Sequence, residues 1–362
     1  MPMIRKQMPL AASCLALSVL ALVPAEAAAD SAAGTILMVY QNCDQPGPTP
    51  ACQYHPYANS VVPANTTMNM SQQLQLSSGD AYGDKSAGAF DAGSGVLYFF
   101  QGEETTMYRV DAGAHKVLPP VKLKRPHPWK AWHGVAAAYW NDGAVVAVAK
   151  GNDRNDVGGL VSIDPSSGVV SALDSGVDPN DKAYGDLSKG GGLFALGAGL
   201  LVLPLVPTWN YPHSFDAVNA STGAGTRVKT NLDIVGLEYS NGSFWALGVV
   251  ALPPGLPSDQ HGQPLIAKLD PETGAFTMVA NLTGVVDKGA LREAWDVATA
   301  GDGAGRLCST FDHENGIMYF ALDPNILGVN VRTGKVVTSS PLVHWADGTR
   351  DAEFVNAMQF VR

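Results

Sequence analysis

A recurring acidic position is the feature of this sequence best suited to chemistry. Ala81-Tyr82-Gly83-Asp84 and Ala183-Tyr184-Gly185-Asp186 are nearly identical, and Ala294-Trp295-Asp296 is a variant of them. Asp233 and Glu353 take the equivalent places in two divergent stretches. Carboxylates held close together repel one another, and a divalent cation relieves that repulsion. If the fold gathers these positions, a Ca²⁺ site is predicted at Asp84, Asp186, Asp233, Asp296 and Glu353.

Such a cation would support hydrolysis. It could polarise a lactone or an ester while a neighbouring His or Asp acts as the base. His133, in Ala131-Trp132-His133, takes the same place in a further stretch. The alternative is that each Asp accepts hydrogen bonds from the backbone of its own turn and holds no ion.

Histidine and aromatic residues form a second candidate set. Six of the eight histidines fall in segments expected to be connecting loops: His55, His127, His133, His213, His261 and His344. Aromatic rings present flat apolar area with a polar edge, which suits sugar rings, peptides and planar small molecules. The predicted ligand contacts are Trp129, Trp132, His133, Trp209, Tyr211, His213 and His261. The alternative for Trp132 and Trp295 is packing between structural repeats.

A repeating framework that could position these residues is visible in the turns. Five segments share one order of residues: an apolar residue, then Asp or Asn, then a short polar link, which in most of them ends with Gly. They are residues 110–114, 163–168, 218–223, 269–274 and 329–334. The Asp or Asn side chain accepts hydrogen bonds from the turn backbone, and Gly adopts the left-handed conformation that closes a hairpin. With Asn69 as a weaker sixth copy, the marker residues are 42 to 60 positions apart.

A second hairpin precedes each of these turns. Its later strand is strongly apolar, at residues 35–40, 96–100, 144–149, 200–203, 244–249 and 317–322. Asp142-Gly143 and Asn241-Gly242 are strong hairpin signals. Units of four strands that recur every 40 to 50 residues or so are typical of a β-propeller. We therefore predict an all-β fold, a six-bladed β-propeller, with seven blades as the alternative.

The two ends of the chain predict how the ring closes. Residues 353–361 read as an inner strand with no strand after it, and residues 35–40, 66–71 and 73–76 supply three outer strands. With its apolar-Asp-Pro-x-Thr-Gly turns, the chain resembles the secreted repeat propellers of the NHL and YVTN type. The resemblance covers nearly all of residues 30–362. It implies architecture alone, because proteins of unrelated roles share these turns.

Composition limits the class of protein. The chain has 362 residues, of which 46% are hydrophobic and 15% charged, which excludes a disordered chain. A net charge of −10 argues against nucleic acid or an anionic membrane as a partner. Residues 1–29 read as a signal peptide, with Arg5 and Lys6 before an apolar run. Residues 30–362 are expected to form one domain, a monomer without membrane insertion, secreted or periplasmic if the source is bacterial.

Export bears on the cysteines and on the asparagines. In an oxidising compartment Cys43 and Cys52 are predicted to form a disulfide across a Pro-rich loop, and Cys308 reads as a buried small apolar residue. In a eukaryotic source, glycosylation is predicted at Asn65, Asn69, Asn219, Asn241 and Asn281.

Two functions follow from these residues. The first is a secreted recognition protein that binds a carbohydrate, a peptide or another small molecule on the face with the long loops. The second is a Ca²⁺-dependent, lactonase-like hydrolase that acts at the axial carboxylates. The sequence leaves open whether the protein is an enzyme.

Overall fold

The computed structural model describes most of the β-structure of the chain. The described residues are 34–43, 54–63, 73–77, 86–101, 105–124, 132–151, 160–173, 195–204, 213–220, 222, 224–250, 262–286, 308–322, 325–341 and 354–362.

These residues form twenty-four strands in six antiparallel sheets of four strands each, the blades of a propeller. The first three strands, β1 (Thr35–Cys43), β2 (Tyr54–Val61) and β3 (Leu74–Gln75), are the outer strands of blade 6. Blade 1 comprises β4 (Ser86–Asp91), β5 (Val96–Gln101), β6 (Thr106–Asp111) and β7 (Lys116–Lys122). Blade 2 comprises β8 (Trp132–Asn141), β9 (Ala144–Gly151), β10 (Leu160–Ile163) and β11 (Val170–Ala172).

The remaining blades follow the same order from the axis outward. Blade 3 comprises β12 (Ala195–Gly197), β13 (Leu200–Pro204), β14 (Ser214–Asn219) and β15 (Gly225–Lys229). Blade 4 comprises β16 (Leu232–Ser240), β17 (Ser243–Val250), β18 (Pro264–Leu269) and β19 (Phe276–Asn281). Blade 5 comprises β20 (Cys308–Asp312), β21 (Ile317–Leu322), β22 (Asn325–Asn330) and β23 (Lys335–Pro341), and β24 (Phe354–Val361) is the inner strand of blade 6. The six-bladed prediction is confirmed.

The core lies between the blades. Each of six buried apolar clusters joins two neighbouring blades, and together the clusters cover all six neighbouring pairs. Between blades 5 and 6, for example, Tyr40 and Phe360 lie with Tyr319. Burial of apolar area is the main favourable term in folding, so each blade depends on the two beside it. The strands are therefore held as a closed ring.

The repeated turns work as their residue types predict. At the turn between β18 and β19, a carboxylate oxygen of Asp270 accepts a hydrogen bond from the Glu272 amide at 2.9 Å and one from the Thr273 amide at 3.3 Å. The Thr273 hydroxyl donates a hydrogen bond to the other carboxylate oxygen of Asp270 at 2.7 Å. These hydrogen bonds, led by the one from the Thr273 hydroxyl, lower the pKa of Asp270. In blade 2, Asp164 Oδ1 likewise accepts hydrogen bonds from the Ser166 and Ser167 amides, and here also from the Ser166 hydroxyl.

The glycine that ends these turns has a second role between blades. Gly168, Gly274 and Gly334 all have φ near +70°. In each of them a Cβ would overlap a backbone carbonyl oxygen of the outer strand of the preceding blade, at Lys122, Lys229 and Val279 respectively. The turn therefore requires glycine for its backbone conformation and also for the close approach of the neighbouring blade.

Both ends of the chain close the ring. The inner strand β24 pairs antiparallel with β1, with Ile36 opposite Phe360 and Met38 opposite Met358. The prediction for the outer strands needs one correction, because the third strand from the axis is β2 (Tyr54–Val61) and residues 66–71 lie outside the described residues. The β2 strand is buried on both sides, so it lacks the alternating pattern of a half-exposed strand.

That correction moves His55 out of the loop set. His55 lies in β2 and is 6% exposed, so it does not belong to a loop surface. The part of the chain that the structure describes contains no helix long and apolar enough to cross a membrane.

Candidate functional site

Most of the predicted site residues lie outside the described residues. These are Trp129, Trp209, Tyr211 and His261 of the ligand set, and Asp84, Asp186, Asp296 and Glu353 of the metal set. Trp132 and His133 are the first two residues of β8, at the start of the inner strand of blade 2. His213 directly precedes β14, and Asp233 is the second residue of β16.

His213 and Asp233 form an ion pair between His213 Nδ1 and Asp233 Oδ1. Each backbone is fixed by pairing: the His213 carbonyl accepts a hydrogen bond from the Thr230 amide at 3.0 Å, and Asp233 pairs with Val249 in the ladder. The side chains are 28% and 16% exposed. The hydrogen bond with Asp233 raises the pKa of His213, while partial burial opposes that rise.

The pair lies on the face of the propeller that carries the longer loops. Strands β14 and β16 both begin on this face, because alternate strands of an antiparallel blade run in the same direction. The pair takes His213 from the predicted ligand set and Asp233 from the predicted metal set. Since Nδ1 is bonded to Asp233, Nε2 is the ring nitrogen left to meet a ligand. One carboxylate oxygen of Asp233 is engaged by His213, and no contact of the other oxygen with a described residue is seen.

The predicted Ca²⁺ ring stays a prediction. Within the described ranges, no three His, Cys, Asp or Glu side chains are grouped so that they could hold a metal ion. Asp233 is the one predicted ligand of the ring among those residues, and its contact is with a histidine.

A second feature, which the sequence analysis missed, is a cavity of about 400 Å³ on the propeller axis. We call it the axial cavity. It is lined from the inner strands of all six blades, by residues that include Ala89, Trp140, Leu196, Glu238, Ser309 and Gln359. Each of these six residues lies within three positions of the last residue of its inner strand, whereas Asp233 lies at the start of β16. Glu238 lies five positions after Asp233 in β16, which is roughly 16 Å along a strand.

Glu238 is the carboxyl group of the axial cavity. The Ser309 hydroxyl of blade 5 donates a hydrogen bond to Glu238 Oε1 at 2.7 Å. Enclosure by the ring raises the pKa of Glu238 to about 7, although the Ser309 hydrogen bond works in the opposite direction. The side chain is half-buried, so cavity water reaches it. A carboxyl group of this kind exchanges its proton near neutral pH.

Aromatic and polar contacts continue from Glu238 toward the turns. Trp140 stacks on Tyr98 with ring centroids 5.3 Å apart and planes 4° from parallel. His313 Nδ1 lies 2.9 Å from the Ser240 hydroxyl, and its ring lies 5.5 Å from that of Phe311. Burial lowers the pKa of His313. These contacts fix the walls of the axial cavity on two sides.

Replacement of Glu238 by Gln tests whether burial raises the pKa of the Glu238 carboxyl group. A carboxyl group whose pKa is higher in the folded protein than its ordinary value lowers the free energy of unfolding once pH exceeds that ordinary value. The loss reaches its full size above the folded pKa. Below about pH 4.5 the wild type and Glu238→Gln should be equally stable. Above pH 7 the variant should be more stable by on the order of 1 kcal/mol, after allowance for screening by cavity water. Urea unfolding at pH 4.5 and pH 8 measures the difference, and equal stabilities at both pH values would contradict it.

The covalent predictions remain predictions. The predicted disulfide is not tested, because Cys52 and the side chain of Cys43 lie outside the described residues. The predicted glycosylation sites Asn65 and Asn69 lie outside them as well. Cys308 is half-buried at the start of β20 and lines the axial cavity.

Three of the predicted glycosylation asparagines are described. Asn219 accepts a hydrogen bond from the Thr222 amide at 3.0 Å, and Asn281 accepts one from the Thr283 amide at 2.9 Å. The side-chain nitrogen of Asn241 donates to the His313 carbonyl at 3.2 Å. Each of these side chains therefore has a role in local structure.

Comparison with known proteins supports the fold. No protein-family model matches the chain, and no curated protein matches it. Among solved structures, a chain of the nidogen/laminin complex is similar to it with a TM-score of 0.52 and 11% identity, over 91% of this chain and 99% of that one. A protein of unknown function from Bacteroides caccae has a TM-score of 0.50 and 10% identity, over the same shares. At these identities the likeness shows the fold alone, and the resemblance to NHL-like repeat propellers is confirmed as architecture.

Proposed function

We propose that this protein is a secreted recognition protein that binds a ligand on the long-loop face of the propeller. The ion pair between His213 and Asp233 carries the proposal. It joins the start of a third strand in blade 3 to the start of the inner strand in blade 4. Buried backbone pairing holds both residues, so the imidazole is preorganised and little entropy is lost when a ligand meets it.

The chemistry of the pair favours a ligand with hydroxyl or carbonyl groups. Neutral His213 with its proton on Nδ1 would accept a hydrogen bond at Nε2, and the charged form would donate one. Aromatic residues flanking His213 in the sequence, Trp209 and Tyr211, would add flat contact area. A carbohydrate, a peptide or a small polar molecule offers both kinds of contact.

The test is capture of ligands from a mixed carbohydrate, peptide and small-molecule array. We expect His213→Ala to weaken capture at least tenfold while the melting temperature changes little. His115→Asn is the matched control, because His115 lies in a turn on the opposite face and its φ of 47° is one that Asn tolerates. Capture that is equal in the wild type and His213→Ala would refute the proposal.

An NMR titration of the His213 imidazole tests the pair itself. We expect a pKa above the ordinary value of about 6.5 in the wild type and a fall toward it in Asp233→Asn, because the carboxylate favours the protonated ring. The stability from the pair is fully present below about pH 6.5 and is lost as pH rises through the raised pKa. An unchanged titration in Asp233→Asn would contradict the pairing.

A second candidate function is metal-dependent hydrolysis of an ester or a lactone. The same pair favours it, since a histidine oriented by a carboxylate is the arrangement a general base needs. Ca²⁺ would have the free oxygen of Asp233 together with carboxylates from the other predicted positions. If this candidate is right, Ca²⁺ should raise the melting temperature, and EDTA should remove both that rise and the turnover of an ester substrate.

A further inference from the structure

We propose that the axial cavity is a second binding site, for a small organic cation, with the Glu238 carboxylate as its counter-ion. This site is distinct from the long-loop face and does not depend on ligand binding there. It lies roughly 16 Å along β16 from Asp233.

The first argument is the place of the carboxyl group. Glu238 lies on the wall of a cavity of about 400 Å³ that is partly open to solvent and within the size range of small-molecule sites. Ser309 bonds to one of its oxygens, and the described residues supply no hydrogen bond to the other oxygen. That oxygen is available to a bound molecule.

The second argument is charge. Among the described residues that line the axial cavity, Glu238 is the acidic one and no Lys or Arg is present. Ionised Glu238 therefore has no basic partner within the cavity wall. A protonated amine would supply the missing positive charge and form a charge-assisted hydrogen bond with the free oxygen. The net charge of −10 also attracts cations to the protein as a whole.

The third argument is the aromatic lining. Among the residues that the structure describes, five Phe, Tyr or Trp side chains line the cavity: Phe90, Tyr139, Trp140, Tyr239 and Phe311. The faces of aromatic rings attract organic cations and also bury an apolar body. A metal ion fits less well, because Ca²⁺ takes six to eight oxygen ligands and the cavity offers one carboxylate and a few hydroxyls. The chemistry selects an amine with a small apolar or aromatic group.

Proton exchange at Glu238 should make the binding depend on pH. The other titratable side chains described on its own strand and on the cavity-lining strands around it are Asp233, Tyr239, Asp91, Tyr139, Cys308, Asp312 and His313. Asp233 is paired with His213 and Asp312 with Arg362, while burial lowers the pKa of His313 and so favours its neutral form. Glu238, whose pKa is raised to about 7, is the lining carboxyl group that changes charge between pH 6 and pH 8.

The experiment is isothermal titration of the protein with 2-phenylethylamine. The neutral 2-phenylethanol and the anionic 3-phenylpropionate are the comparison probes. With a pKa of about 7, the ionised fraction of Glu238 rises about tenfold between pH 6 and pH 8. We expect the affinity for the amine to rise about tenfold over that range, with protons released at pH 7. Absence of amine binding, or equal binding of the alcohol, would overturn the proposal.

Variants separate Glu238 from general charge effects. Glu238→Gln should abolish amine binding and its pH dependence, whereas Glu272→Gln, which removes an exposed carboxylate in an outer turn, should leave both unchanged. Ser309→Ala removes the hydrogen bond that lowers the pKa of Glu238, so the rise in affinity should move to higher pH. Binding that survives in Glu238→Gln, or a pH profile unmoved in Ser309→Ala, would contradict the assignment. His213→Ala should bind the amine normally, which keeps this test separate from the long-loop face.

Discussion

Replacement of Gly274 by Ala should lower the free energy of unfolding by about 3 kcal/mol. Gly274 has a φ of +73°, which costs an alanine about 1–2 kcal/mol. The added Cβ would also overlap the Lys229 carbonyl oxygen of blade 3, and because that atom belongs to the backbone of a strand it cannot move without disturbing the sheet. Overpacking of this kind costs about 1–3 kcal/mol more. Urea unfolding followed by circular dichroism measures the sum.

Gly242 provides a matched control in the same blade. It also has a φ of +73°, but a Cβ there meets no other atom within 4 Å. Gly242→Ala should therefore show the backbone cost alone, about 1–2 kcal/mol. Equal losses in the two variants would mean that the contact between blades contributes nothing and that glycine is required in these turns for φ alone.

Replacement of Phe360 by Ala should cost about 3–5 kcal/mol, the usual range for a buried Phe. Phe360 is 8% exposed on β24, and its ring stacks on Tyr319 of blade 5 with centroids 5.6 Å apart. The same ring covers Gly34 at the start of the first outer strand. The Phe360 side chain thus connects β24 both to the residue before β1 and to blade 5. Thermal unfolding and urea unfolding both measure this loss.

Phe276→Ala is the control for ring size. Phe276 is half-buried on the outer strand of blade 4 and packs against the cluster between blades 3 and 4. Its loss should cost about 1–2 kcal/mol, in proportion to the smaller area buried. If Phe276→Ala and Phe360→Ala were equally destabilising, closure through Phe360 would have no special weight in the stability of the ring.

The fold was predictable because each repeat contains a turn with Asp or Asn and Gly at characteristic positions. Asp270 and Gly274 occupy turn positions that few other residue types suit. Each turn could therefore be recognised in the sequence, and the number of turns gave the number of blades. The third strand of blade 6 was missed for the opposite reason. Tyr54–Val61 is buried on both sides, so its polar residues, such as Asn59, appear where an alternating pattern would not place them.

The candidate sites were predictable to a smaller extent. His213 and Asp233 were each selected for chemistry, but their contact joins two blades and depends on how the ring closes, which residue spacing does not report. Glu238 was overlooked because it lies between Leu237 and Tyr239 inside a strand and not in a loop. A carboxylate well inside an inner strand is a usable signal once the propeller fold is known, since that strand borders the axis.

The pairing of β1 with β24 has a consequence for the way the protein is made. Ile36 and Phe360, which face each other in that ladder, are separated by more than three hundred residues. Contacts so distant along the chain form late and slow the approach to the native state. A nascent chain therefore carries an incomplete blade 6 until β24 (Phe354–Val361) has been synthesised, so a product that stops before β24 would keep an open sheet edge and be exposed to proteases.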